Sequence, residues 1–284
     1  MKGSRRIPKL DREKLELNAS LLKKTVKFAW KYVCALLGSV YLFTLGLLFR
    51  RNRDLLTTIA LHFGYGPKRE KEVVPLIPEI EWKELFDETP SIRLLEMDYA
   101  RGNVSLHELA ILNQWVKAKA PRKIFEMGTF DGRTTLNLSA NSPEDSVIFT
   151  IDLPKGQMLS ARFELEEREK EMIQKEAAGL RYSGRAEAGK IVQLYGDTAS
   201  FDFGPYFGTM DFVFVDASHA HAYVLNDSRI ALKLLKGGKG VILWHDYAAW
   251  NGVTSALNEL YEREPAFRPA RRLFGTHLVA LVRD

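Results

Sequence analysis

A chain of 284 residues with 46% apolar and 27% charged content is long enough for one α/β domain plus an appendage, and too apolar for general disorder. Residues 1–53 hold 13 Lys and Arg against 3 Asp and Glu, leaving 28 and 33 of the totals of 41 and 36, so the net charge of +5 belongs to an N-terminal arm. The acidic remainder argues against nucleic acid as its partner, and the single cysteine, Cys34, excludes an intrachain disulfide and a cysteine-based zinc site.

Residues 32–49 carry no charge and are mostly large and apolar, close to the minimum of roughly 18 residues for crossing a bilayer. Lys27, Lys31, Arg50, Arg51 and Arg53 flank the run on both sides, so its orientation stays open. The long preceding arm and the arginines where a cleavage site would lie disfavour a secretory signal. The run predicts an N-terminal hydrophobic helix that anchors the chain by crossing a membrane or lying on it, with a buried helix as the competing reading. Residues 54–66 continue as a short apolar helix or a membrane-surface segment. Gly64, Gly66 and Pro67, the KREKE run, Pro75 and Pro78 then mark a linker. The expected organisation is a basic arm and anchor over 1–66, a linker over 67–81 and the main domain over 82–284.

Ser105, with Glu108 three residues on, is a capping-box signature ahead of Leu106, Leu109, Leu112 and Val116 at helical spacing. The stretch 123–135, KIFEMGTFDGRTT, then reads as a buried strand feeding a tight turn through Gly128 and Gly132 and opening a helix at about Thr134. Gly128 lets the backbone turn sharply and a ligand approach, and the N–H groups at the helix start suit an anion. Further strands are expected at 147–153, 191–195, 211–215 and 240–244, alternating with helical stretches as in parallel βαβ units. Residues 268–274 and 277–282, around Gly275 and Thr276, form a plausible hairpin closing the sheet edge. Between the second and third strands, residues 158–178 are dense in Glu, Arg and Lys. They read either as a solvated helix with pairs such as Glu166 and Lys170 or as a lid.

Ligands of an open parallel sheet sit outside the carboxyl ends of its strands. Glu126, Asp152, Asp197, Asp216 and Asp246 all fall at or just beyond such ends, more than helix capping explains. They suggest a polar ligand with hydroxyls and a positive charge, with a metal as a further option. The turn is not the G-x-G-x-x-G of a pyrophosphate site; Glu126 two residues before Gly128 is better placed for an ammonium group. Asp152, about 20 residues past the helix start, is placed to accept from ribose hydroxyls.

Taken together, the E-x-G-x-x-x-G turn, the strand-two acid, Gly196-Asp197, FVFVDASH, the Gly237-Gly238 turn and ILWHDY resemble a class I S-adenosylmethionine-dependent methyltransferase. The bacterial group with the sugar and macrolide O-methyltransferases is the nearest in kind, over about Asn103 to Arg283. The resemblance implies a Rossmann-like α/β fold with a seven-stranded, mostly parallel sheet and a C-terminal antiparallel hairpin. It assigns Glu126, Gly128 and Gly132 to the methionine side of the cofactor, Asp152 to the ribose, Asp197 and Thr198 to the adenine end, and Asp216 to the sulfonium end. Several relatives bind a divalent cation through a strand-four aspartate and two groups after strand five. Asp216, His245 and Asp246 stand at those places, with magnesium or manganese as the cation. His245 weakens the case for magnesium, which prefers oxygen. His219 in the DASH segment, with Asp216, is the candidate for proton removal; helix capping or orientation of a neighbour is its alternative role. Trp244, Tyr247 and Trp250 could line an acceptor pocket or belong to the core.

The sequence thus predicts methyl transfer from S-adenosylmethionine to an oxygen of a small-molecule acceptor, a sugar or an envelope glycolipid, by a membrane-associated enzyme whose catalytic domain faces the cytoplasm. A membrane-tethered, non-catalytic scaffold or binding module with the same fold is the alternative. A nicotinamide-dependent oxidoreductase is disfavoured by the glycine spacing.

Overall fold

The uncharged run at 32–49 is broken in its second half rather than continued as one rod. Helix α1 (Lys9–Leu42) ends inside it, Thr44 leaves helical backbone at φ −126°, ψ −104°, a tight turn occupies Leu45–Leu48, and α2 (Arg50–His62) follows. Carbonyls left open at that turn are taken up from α2: Asn52 donates to Gly46 at 3.1 Å and Arg53 to Leu47 at 2.8 Å. Only residues 32–42 of the run lie in α1, a rise of about 16 Å against a hydrocarbon core of about 30 Å. No helix among the described residues is long and apolar enough to cross a membrane, which corrects the expected transmembrane helix. Trp30, Leu36, Leu37 and Leu48 are nonetheless exposed.

This structure, a computed structural model, describes residues 9–62, 72–86, 90–173 and 177–283. The chain divides into two compact units, Met1–Lys71 and Glu72–Asp284. Gly64, Gly66, Pro67 and most of the KREKE run lie outside the described residues.

The second unit is built on a sheet of eight strands among the described residues, one more than the seven expected. The additional strand, β1 (Glu79–Ile80), comes from the end of the stretch read as a linker and pairs parallel with β7 (Arg271–Leu273). From that edge the order continues through β8 (Val279–Arg283), β6 (Gly240–Trp244), β5 (Phe212–Val215), β2 (Lys123–Met127), β3 (Val147–Asp152) and β4 (Ile191–Tyr195). Strands β2 to β6 are mutually parallel, while β8 runs antiparallel to β6 and β7. This is a Rossmann-like sheet with the expected C-terminal hairpin, whose turn holds Gly275 at φ +72°.

Side-chain alternation on the central strands sorts the two layers. Ile124, Phe212, Phe214 and Leu243 face α3 (Leu106–Lys119), packing with Leu109, Leu112 and Trp115. Phe125, Met127, Val213 and Val215 face the other way, toward α6 (His221–Leu234) and α7 (Asn251–Arg263) through Val224, Leu234 and Leu257. Strands covered on both faces read as unbroken apolar runs, which is why 124–125 and 212–215 carry so little polar character. The capping box at α3 is present: Ser105 Oγ accepts from Glu108 N at 3.2 Å, and Ser105 N donates back to Glu108 Oε2 at 3.2 Å. Between β2 and β3 lies α4 (Arg133–Asn141); between β3 and β4 lies the short α5 (Glu167–Ile173). The carboxyl ends of the parallel strands open into one cavity.

Candidate active site

The glycine turn forms one wall, and its glycines serve chain packing as much as ligand approach. Gly128 has φ +97°, and a Cβ there would lie 1.9 Å from the Asp216 carbonyl oxygen, because Asp216 N donates to Met127 O at 2.9 Å and holds the two strand ends together. Gly132, at φ +86°, would push a Cβ to 2.7 Å from Gly179 Cα and the Tyr182 ring; it does not line the cavity, whereas Gly128 does. Between them Phe130 adopts a left-handed φ of +49°, a strain of about 1–3 kcal/mol, with its N–H donating to Asp152 Oδ2 at 2.8 Å. At the helix start Asp131 Oδ1 accepts from Arg133 N at 3.0 Å and so takes one of the N–H groups expected to meet an anion.

Glu126 does not reach the cavity. Its Oε2 accepts from the Thr135 and Thr150 hydroxyls, the latter at 2.6 Å, and Oε1 has no hydrogen-bond partner among the described residues. Complete burial outweighs the two hydroxyls and pushes its carboxyl up to about 8, so at neutral pH it is mainly a neutral acid. This corrects its expected pairing with a cofactor ammonium group. Asp152, Asp197 and Thr198 do line the cavity, at the ends of β3 and β4. The Asp197 carboxylate is committed to backbone, Oδ2 accepting from Arg162 N at 2.7 Å and Oδ1 from Ala199 N at 2.9 Å, so it shapes this wall. Behind Thr198, fully buried Asp227 is pushed up to about 7 by desolvation.

Across the cavity, four carboxylates and two histidines interlock. His245 Nδ1 lies 3.1 Å from Asp216 Oδ1 and 3.3 Å from Asp246 Oδ2, while its Nε2 lies 3.3 Å from Glu108 Oε2. His219 Nε2 lies 2.6 Å from Asp246 Oδ2, and its Nδ1 lies 2.6 Å from Glu169 Oε1. Burial alone would lower the His219 pKa, but hydrogen bonds and charge from Asp246 and Glu169 outweigh it and raise it to about 10. His245 is raised well above its ordinary value by Asp216 and Asp246, also against desolvation. In turn, burial of Glu108 is outweighed by His245, His277 N and Ser105, which bring it down to about 2. Asp246 is lowered by both histidines and sits at φ +64°, a left-handed conformation that turns its side chain into the cluster.

His219, expected as the proton acceptor, is therefore a cation at neutral pH with both ring nitrogens engaged. The Trp250 ring stacks on it at 4.1 Å and 18°, suiting an imidazolium. Asp216, His245 and Asp246 do come together as expected, with one donor atom from each within 4.8 Å of the others. Ligands about 2.1 Å from a common ion at right angles stand about 3 Å apart, close to the 3.1 and 3.3 Å from His245 Nδ1 to Asp216 and Asp246.

Two partners of this cluster were not foreseen. Glu108 reads in sequence only as a capping residue, and Glu169 sits in the charge-dense segment 158–178, where nothing in composition separates it from its neighbours. Of the three aromatics proposed for an acceptor pocket, only Trp250 lines the cavity. Trp244 is buried with Nε1 donating to Ser228 Oγ at 2.9 Å, and the Tyr247 hydroxyl donates to Asn258 Oδ1 at 2.6 Å while accepting from Leu76 N and Ile77 N. The cavity measures about 410 Å³, in the range of small-molecule sites.

Residues 125–247, which run from within β2 to just past β6, match a family described as a methyltransferase domain. No curated protein matches the chain. Solved structures with some similarity include the O-methyltransferase TomG of Streptomyces achromogenes, involved in tomaymycin synthesis and solved with SAM. It is 21% identical over 64% of this chain and 82% of that one, with a TM-score of 0.43. The O-methyltransferase from Bacillus cereus, solved with SAH, is 17% identical over 65% and 84%, with a TM-score of 0.41. The SAH-bound Podospora anserina methyltransferase PaMTH1 is 16% identical over 64% and 80%, with a TM-score of 0.44.

Proposed function

We propose that this protein transfers the methyl group of S-adenosylmethionine to a hydroxyl oxygen of a small polar acceptor, with a sugar or a glycolipid headgroup as the substrate class. One observation carries the reading: a single cavity joins the turn wall of Gly128, Phe130, Asp152 and Thr198 to the strand-end cluster of Asp216, His245 and Asp246. The family match over the same strands supports it. In this reading Asp152 holds the ribose hydroxyls, and Thr198 with the Asp197-braced loop borders the adenine. The sulfonium supplies an already activated methyl group, so the protein's task is alignment and proton removal.

Asp216 is the residue suited to receive the acceptor's proton. Among the described residues its carboxylate meets one histidine, whereas Asp246 meets two, and His219 holds its own proton. Trp250 and the Met172 and Ile173 side chains of α5 border the cavity and keep water from the reacting oxygen. A divalent cation on Asp216, His245 and Asp246 would orient an acceptor oxygen and favour its ionised form.

The test is calorimetric titration of the full chain with S-adenosylmethionine and with its demethylated product, followed by turnover of labelled methyl donor with a sugar and glycolipid panel. Binding without turnover on any acceptor would favour the non-catalytic module; no binding of either ligand would overturn the cofactor assignment. A cytoplasmic-facing domain attached at a membrane surface belongs to the same proposal, motivated by the exposed apolar residues of α1 and the flanking Lys27, Lys31, Arg50 and Arg51. Failure of the full chain to sediment with anionic lipid vesicles at low salt would remove that part.

A further inference from the structure

We propose that Glu108 sets which cation the cluster takes. By accepting the Nε2 proton of His245 it presents Nδ1 as a nitrogen donor, so that the site prefers an imidazole-accepting transition-metal dication over magnesium. This rests on the cation reading above and goes beyond it.

An imidazole ligates through one nitrogen only when the other carries the proton, and the residue facing that other nitrogen decides the tautomer. Here the two ring nitrogens of His245 face different surroundings. Nδ1 looks at Asp216 and Asp246, the two carboxylates that complete the donor set, and Nε2 looks away from them at Glu108.

Glu108 cannot follow His245 if the ring turns, because it is fixed from three other directions. Its Oε2 accepts from Ser105 Oγ at 2.7 Å and from Ser105 N at 3.2 Å, and its Oε1 accepts from His277 N at 2.7 Å. The bond from Ser105 N belongs to the capping box of α3, and His277 belongs to the turn before β8. Glu108 is 4% exposed. A helix start and the sheet hairpin thus jointly place an acceptor behind His245, 137 residues away in sequence.

Asp246 is steadied by His219 Nε2, which lies 2.6 Å from Oδ2, the same oxygen that lies 3.3 Å from His245 Nδ1. Two of the three donor residues, His245 and Asp246, thus have a bonded partner outside the set, and one of the three is nitrogen. Magnesium dehydrates reluctantly and favours oxygen, while affinity for nitrogen donors rises from manganese through cobalt along the first transition row.

The experiment titrates the full chain, stripped with chelator, with cobalt(II) and with magnesium separately by calorimetry, and reads the cobalt absorption spectrum for nitrogen ligation. Expected for the unaltered protein is cobalt binding at least tenfold tighter than magnesium. Glu108→Gln keeps the capping box through its amide oxygen, since the box takes Gln as well as Glu, and gives up the acceptor for His277 N, a cost that thermal unfolding measures separately from ion binding. Loss of the charged partner behind a ligating histidine should weaken cobalt about 10- to 100-fold and leave magnesium within about threefold. His245→Asp, an all-oxygen set, should reverse the preference. Equal affinities for the two ions in the unaltered protein, or equal losses in Glu108→Gln, would overturn the inference while leaving the cation site standing. No binding of either ion would overturn both, and S-adenosylmethionine titration would still report separately on the methyl-donor site.

Discussion

The Glu169 carboxylate holds His219 at two points: Oε1 accepts from Nδ1 at 2.6 Å and from the backbone N–H of the same residue, while Oε2 accepts from Ser218 Oγ at 3.0 Å. With Asp246 on the opposite nitrogen, His219 is an imidazolium between two carboxylates, its pKa about 10. A pKa raised above the unfolded value of about 6.5 stabilises the fold fully below that pH, progressively less above it, and not at all once pH passes the folded value. Glu169→Gln should therefore cost about 1–3 kcal/mol near pH 6 and much less near pH 10. Urea unfolding in chelator at both pH values checks this, and a loss that does not shrink with pH would contradict the charged His219.

How far the sequence foretold this site follows the range of each signal. The parallel strands and the capping box were legible because their patterns are local: apolar runs of four or five residues bounded by turns, and Ser105 three residues before Glu108. The strand-end acids were legible because topology places carboxyl ends at one edge. What was hidden depends on contacts across the chain. Glu126 looks like a cavity acid until Thr135 and Thr150 turn it inward. His219 looks like a base until Glu169, 50 residues earlier, is seen on Nδ1. The break at Thr44, in the middle of an apolar tract, has no proline to announce it; Asn52 and Arg53 sustain it from the following helix.

Glu126 offers a second pH-dependent test. Its folded pKa of about 8 lies above the ordinary value of 4.5, so the fold loses stability as pH rises from about 4.5 toward 8 and the buried carboxyl is pressed to ionise. Glu126→Gln cannot ionise and should be flatter over that interval. The difference in stability between variant and parent should move in the variant's favour by on the order of 3 kcal/mol between pH 5 and pH 8.5. Because Glu126 is walled off from the cavity, S-adenosylmethionine affinity should stay within about threefold; a hundredfold loss would restore it to the cofactor site.

The packing at Gly128 makes a prediction that ligand approach alone does not. A methyl group there meets the Asp216 carbonyl oxygen at 1.9 Å, on backbone at φ +97°, so β2 and β5 would have to separate. Gly128→Ala should destabilise the protein by about 3 kcal/mol or more without any ligand present, visible as a lowered melting temperature. Normal thermal stability with lost cofactor binding would instead return the glycine to ligand clearance.

Asp216 is the residue on which the chemical step turns. Replacing it with Asn keeps the shape beside His245 and Gly128 but removes a carboxylate able to take a proton. Methyl transfer should fall by about 10²- to 10⁴-fold, the usual range for loss of a general base. Binding of the demethylated product should change little, since the turn wall and Asp152 are untouched. Single-turnover rates with saturating donor separate the two effects. Asp216→Asn and His219→Asn should differ: the first abolishes the proton acceptor, while the second removes a donor to Asp246 and should slow transfer less. Equal losses in the two variants, with product binding intact in both, would place the proton acceptor in the whole cluster and not in Asp216.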